Sequence, residues 1–187
     1  YCHFFIPELE NFIGEDKMKH IKDELLKEKP NFFTDYEEKR EEGQNDSHIC
    51  SLIRQDLVEE FIIYMNRYNI SPSSKISPSI FETNPYLIEK ENLTLIEYAA
   101  FFGSIRIITY LITNNSEITT PVWQSAIHSK DAELISILES KDTDKSHHKF
   151  EQCLIESIKC HHNEIADYIF NNFLDQDVKC FQQNKEI

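Results

Sequence analysis

Glycine is almost missing from this sequence: Gly14, Gly43 and Gly103 are the only three in 187 residues, against an average near 7 % in ordinary domains. They lie too far apart to build a glycine-rich phosphate loop or a turn-dense β-protein, so nucleotide-loop folds are poor candidates. Basic charge is also short. Nineteen Lys and Arg face 33 Asp and Glu, a formal charge of −14, and the average field of such a chain repels phosphate backbones and anionic headgroups. We expect no nucleic-acid partner. Long apolar runs are absent too: the longest, Ala99 to Ile112, is interrupted by Ser104, Arg106 and Thr109 and falls short of the ~20 residues a bilayer demands. We expect no membrane span. Cysteine is present without a pattern, five residues scattered as Cys2, Cys50, Cys153, Cys160 and Cys180. An odd, dispersed set in a chain large enough to fold without covalent staples points to a reducing, cytoplasmic setting. No basic-then-apolar leader is visible, and a chain that opens at Tyr1 rather than Met reads as a piece of a longer protein.

What the chain has is 40 % hydrophobic residues, enough for a real core, and an arrangement of them that changes along its length. From Glu8 to Lys29 the spacing of Leu9, Phe12, Ile13, Met18, Ile21, Leu25 and Leu26 predicts one or two amphipathic helices ending before Pro30. The run Asp35 to Asp46 has almost no apolar residue after Tyr36 and reads as an exposed helix end plus linker. We therefore divide the chain into an acidic helical segment, 1–46, and a second region, 47–187.

In that second region short apolar helices come in pairs. Taking TLIEYAAFFGSIRIITYLI, Thr94 to Ile112, as template, a first helix over Leu95–Phe102 turns at Gly103-Ser104 into a second over Ile105–Ile112. Windows starting at Ser47, Pro121 and Gln152 superpose on it without gaps, so the four starts are separated by 47, 27 and 31 residues. An eight-residue helix does not persist alone in water, and one pair cannot cover both of its apolar sides, so stacking is obligatory. Small residues at the middle of three of the first helices, Ala99 and Ala100, Ala126 and Ser157, allow close approach. The stretch 69–92 is an insertion, in which Ser77-Pro78 predicts a helix start and Asn84-Pro85 a helix stop. The tail after Leu174 is expected to continue briefly as helix around Val178, Cys180 and Phe181 and then fray.

The template resembles the ankyrin-repeat helix pair through Thr94, Ile96, Ala99, Ala100, Gly103, Ile107, Ile108, Leu111 and Ile112, with Asp56, Lys130 and His161 where that family keeps its corner glycine. The wider run from EKREEGQNDSHICSLIRQDLVEEFI to CLIESIKCHHNEIADYI is similar to the uncharacterised domain preceding ankyrin arrays in long protist proteins. The resemblance implies an all-α, ankyrin-like helical-repeat solenoid of about four helix pairs. Spacings of 27 and 31 fall short of the family's ~33 and leave little room for β-turn fingers, so we expect loops in their place. It also implies that the last two residues of each first helix face the concave side. Those residues are Arg54-Gln55, Phe101-Phe102, His128-Ser129 and Lys159-Cys160, a ladder of varied chemistry on a constant scaffold.

Other constellations carry less. Cys160-His161-His162, with Cys153 and His147-His148 upstream, holds zinc-type ligands, but there is no C-x2-C pair and the two histidines fall at a corner. His128 lies at the exposed end of a first helix and reads the same way. Neither an oxyanion donor nor an orienting third group accompanies the thiol and imidazole, and paired acids such as Glu59-Glu60 read as solvated faces. We expect no metal, no cofactor and no catalysis. The leading expectation is an interaction module binding a protein partner through the ladder. The alternatives are a cap or spacer of a longer repeat array, its open end covered by the acidic N-terminal helices, and, more remotely, a zinc or thiol enzyme around Cys160.

Overall fold

The computed structural model describes residues 2–28 and 30–174; the tail expected to fray after Leu174 lies outside them. The protein is all-α. The described residues form twelve α-helices: α1 (Ile6–Leu9), α2 (Glu15–Glu28), α3 (Tyr36–Glu42), α4 (His48–Arg54), α5 (Val58–Arg67), α6 (Pro85–Ile88), α7 (Leu95–Phe102), α8 (Ile105–Thr113), α9 (Thr120–Ser129), α10 (Ala132–Lys141), α11 (His147–Lys159) and α12 (Asn163–Ile169). They contain no strand; an isolated antiparallel bridge joins Lys75 to Thr94. Among the described residues no helix is long and apolar enough to cross a membrane. Contacts group the chain into two compact units. One combines the described residues up to His48 with Ser77–Glu91; the other combines Ile49–Ile76 with the described residues from Asn92 onward.

In the first unit Ile6, Met18, Leu25, Phe32, Tyr36 and Phe81 form a buried cluster. Tyr36 is its polar handle: the ring packs 5.7 Å from Phe32 and 5.6 Å from Phe81, and the hydroxyl donates toward the Phe4 carbonyl at 2.9 Å. The segment expected to be a helix end plus linker is thus a helix in its own right, α3, because Tyr36 anchors its first turn. It stops at Gly43, whose φ of 61° places it in the left-handed region. A Cβ there would meet the Thr83 hydroxyl at 2.6 Å, so glycine is required twice over.

Residues 77–91 are tied to this unit by polar bonds. Asn45 donates from Nδ2 to the Ser77 carbonyl at 2.9 Å, and the buried Glu82 carboxylate accepts from the backbone of Asn45 and Asn84. The helix expected at Ser77-Pro78 is not there. It begins instead at the expected stop: Asn84 Oδ1 accepts from Tyr86 N and Leu87 N, and Pro85 takes the first helical position of α6. Asn-Pro ends one helix and begins another with equal ease, since the missing N–H is harmless only at a start.

In the second unit four helix pairs turn through one kind of corner. Asp56, Gly103, Lys130 and His161 all have left-handed backbone, with φ of 51°, 68°, 58° and 56°, and these are the four positions that the sequence register superposes. A six-to-one hydrogen bond closes three of the corners: Leu57 N to Leu52 O (3.1 Å), Ser104 N to Ala99 O (3.0 Å) and His162 N to Ser157 O (2.8 Å). This is the Schellman pattern, which satisfies carbonyls that a helix end leaves free. Non-glycine residues are disfavoured there by roughly 1–2 kcal/mol, and Asp56 offsets this by accepting from Arg106 N and Ile107 N, both at 3.0 Å, which caps α8.

The first helices of the last three pairs lie in a row. α7 packs on α9 and α9 on α11, while α8, α10 and α12 each pack on their own partner and α5 packs on α8. Ala99, Ala100, Ala126 and Ser157 are fully buried along that row. α4 is tied to the corner between α7 and α8 through Ser104 Oγ, which donates to the Ile53 carbonyl at 2.6 Å. α11 starts five residues before the window beginning at Gln152, because Lys149 and Phe150 are both buried in it. Lys149 forms an ion pair with the buried Asp142, which also accepts from the Trp123 indole at 2.6 Å. Removing one partner of a buried pair strands the other charge. Asp142→Ala is expected to lower stability by about 3–5 kcal/mol, read as a large fall in melting temperature by circular dichroism.

Candidate functional site

The shared corner fixes where each first helix stops, so the residues just before it occupy equivalent places. Arg54-Gln55 precede Asp56, Phe101-Phe102 precede Gly103, His128-Ser129 precede Lys130, and Lys159-Cys160 precede His161. The packing of α7 on α9 and α9 on α11 then brings the helix ends side by side.

The contacts run from one rung to the next. Arg54 donates from Nη1 to the Tyr98 hydroxyl at 2.8 Å, and the Tyr98 ring lies 4.8 Å from Phe102. Phe102 meets Phe101 edge-on at 5.1 Å, and Phe101 lies tilted over the His128 ring at 5.3 Å. Phe101 and Phe102 are both half-buried, and each ring rests on a neighbour. Gln55 and Lys159 are exposed and fold back on their own helices, toward Ser51 and Glu156. Ser129 is spent on the corner, since its hydroxyl donates to the Ala126 carbonyl and accepts from Asp131 N.

The last rung is where ligand-type side chains converge. His128 Nε2 lies 3.0 Å from Glu156 Oε1, and Cys160 Sγ lies 3.6 Å from His128 Nε2 and 3.9 Å from Glu156 Oε1. The His128 and Glu156 side chains are only 20 % and 12 % exposed. Burial, reinforced by the Glu156 carboxylate, pushes the Cys160 thiol above its ordinary value. Among the described residues this trio brings three potential metal ligands together. The expected vicinity of Cys160, His161 and His162 is therefore rearranged. His161 is an exposed corner residue, and His162 precedes the first turn of α12, where burial lowers its pKa. Cys153 is fully buried, and burial raises its thiol to about 12. His128, read from the sequence as lying at an exposed helix end, is instead packed between Phe101, Glu156 and Cys160 because α11 lies against α9.

Two contributors went unnoticed in the sequence. Tyr98 precedes Phe102 by one helical turn, and Glu156 precedes Cys160 by one, so both i, i+4 pairs share a face of their helices. That spacing is visible in the sequence; the approach of His128 across to α11 is not. No protein-family model, curated protein or solved structure matches the chain.

Proposed function

We propose that this protein is an interaction module without chemistry of its own: a helical-repeat solenoid resembling an ankyrin stack, which binds another protein through the row of first-helix ends. The observation that carries this reading is the continuous run Arg54–Tyr98–Phe102–Phe101–His128, in which Arg54, Phe101, Phe102 and His128 are half-buried around the fully buried Tyr98, held on helices whose inner residues are fully buried. A rigid scaffold presenting aromatic rings and an arginine is the composition from which interface anchors are drawn. Burial and the Glu156 carboxylate raise the Cys160 thiol, the opposite of the shift that activates a nucleophile.

A specific observation supports a second reading, that the stack is a segment of a longer array. Ile158 of α11 is 57 % exposed and Ile155 is 53 % exposed. The equivalents of Ile158 one and two pairs earlier, Ile127 and Ala100, are fully buried by the next first helix. In repeat stacks such a face belongs against a further pair or a polar cap.

Exchanging both phenylalanines for serine, F101S/F102S, is expected to abolish capture of the partners retained by the native chain while the helical circular dichroism stays near native; I63S, on the exposed face of α5, should capture them normally. Equal loss in the I63S control, or undiminished capture by F101S/F102S, contradicts the first reading. The second predicts that the chain self-associates in sedimentation and that I155S/I158S makes it monomeric. A native chain that stays monomeric at high concentration contradicts that reading.

A further inference from the structure

We infer that His128, Glu156 and Cys160 form a binding site for one zinc ion. Tetrahedral zinc with bonds of about 2.3 Å to sulfur and about 2.0–2.1 Å to nitrogen and oxygen sets its ligand atoms roughly 3.5 Å apart along edges to sulfur and roughly 3.3 Å apart between nitrogen and oxygen. The corresponding separations here are 3.6 Å (Sγ to Nε2), 3.9 Å (Sγ to Oε1) and 3.0 Å (Nε2 to Oε1). All three edges of one tetrahedral face are thus present to within about 0.4 Å before any ion enters.

The chemistry of the donors selects the metal. A thiolate and an imidazole disfavour magnesium and calcium, and a mixed sulfur, nitrogen and oxygen set suits zinc. Charge selects it as well: one thiolate and one carboxylate balance a divalent ion, so a half-buried place holds no net charge once it is filled. Binding breaks the Cys160 S–H bond, the proton leaves to solvent, and an Sγ–Zn bond takes its place, with no change of oxidation state. The His128 ring turns slightly about its Cβ–Cγ bond, since Sγ now lies almost equally far from Nδ1 (3.7 Å) and Nε2 (3.6 Å). Glu156 uses Oε1 for the ion and keeps Oε2 for Lys159, 3.5 Å away on the exposed side. Three protein ligands leave the fourth position to water. Because the ligands come from α9, from α11 and from the residue that caps α11, the ion would cross-link two members of the row.

Cobalt(II) is the probe, as a coloured stand-in for zinc. Titrating the reduced full chain with cobalt should give, at one equivalent, the near-ultraviolet thiolate-to-cobalt band and the intense visible bands of tetrahedral geometry, and zinc should displace them. In C160S, of nearly equal size, the thiolate band should vanish. H128Q and E156Q should each weaken cobalt binding by at least about tenfold, and C153S should leave the spectrum unchanged. Circular dichroism of each variant verifies the fold. A native chain that gives no thiolate band, a band that survives in C160S, or affinity unchanged in both H128Q and E156Q overturns the site.

Discussion

Ala99, Ala100, Ala126 and Ser157 have no side chain to spare, and that is what lets α7, α9 and α11 lie against one another. A helix of 8 residues such as α7 forms too few internal hydrogen bonds to repay its nucleation. Its stability therefore resides in what it touches on either side. Around those small residues the larger ones, Leu95, Ile107, Leu111, Trp123, Leu134 and Leu138, are all buried to 1 % exposure or less and fill the space between pairs at the density of a protein interior. The corner has to repeat for this to work, because a pair turning by a different angle would lift its first helix out of the row. That is why Asp56, Lys130 and His161 tolerate a backbone conformation that favours glycine.

The candidate site is a by-product of the same packing. Once the corners fix where first helices end, whatever precedes each corner is placed next to its counterpart, and the side chains there are free to differ. Phe101 stacks on His128 and His128 reaches Glu156 only because α7, α9 and α11 are adjacent. Polar residues inside the stack obey a stricter rule. Asp142 satisfies the Trp123 indole and the Lys149 ammonium at once, which makes a buried carboxylate tolerable.

The pairs were legible in the sequence because their signal is local. Helical spacing, the small residue in mid-helix and the position of the corner are all set within about twenty residues of chain, and Gly103 with Thr94 marked both ends of one first helix. The positions superposed on Gly103 without a glycine share its backbone conformation. What could not be read was decided across the chain. Tyr36 looked like the last apolar residue before a linker, yet its partners are Phe32, Phe33 and Phe81. Asn84-Pro85 looked like a stop because nothing local distinguishes an N-cap from a terminator. At the site, adjacency in sequence misdirected attention to Cys160-His161-His162. Successive helical residues point different ways, whereas a stacking neighbour delivered His128 from 32 residues away.

The central claim is that the first helices hold one another in place, and native-state hydrogen exchange of Ala126→Leu tests it most directly. The extra bulk sits at the middle of the row and should cost about 1–3 kcal/mol. Protection should fall together at the amides of α7, α9 and α11, since each loses a face when α9 is displaced. A loss confined to α9, with α7 and α11 exchanging as in the native chain, would show that the helices stand without their neighbours and would contradict the account.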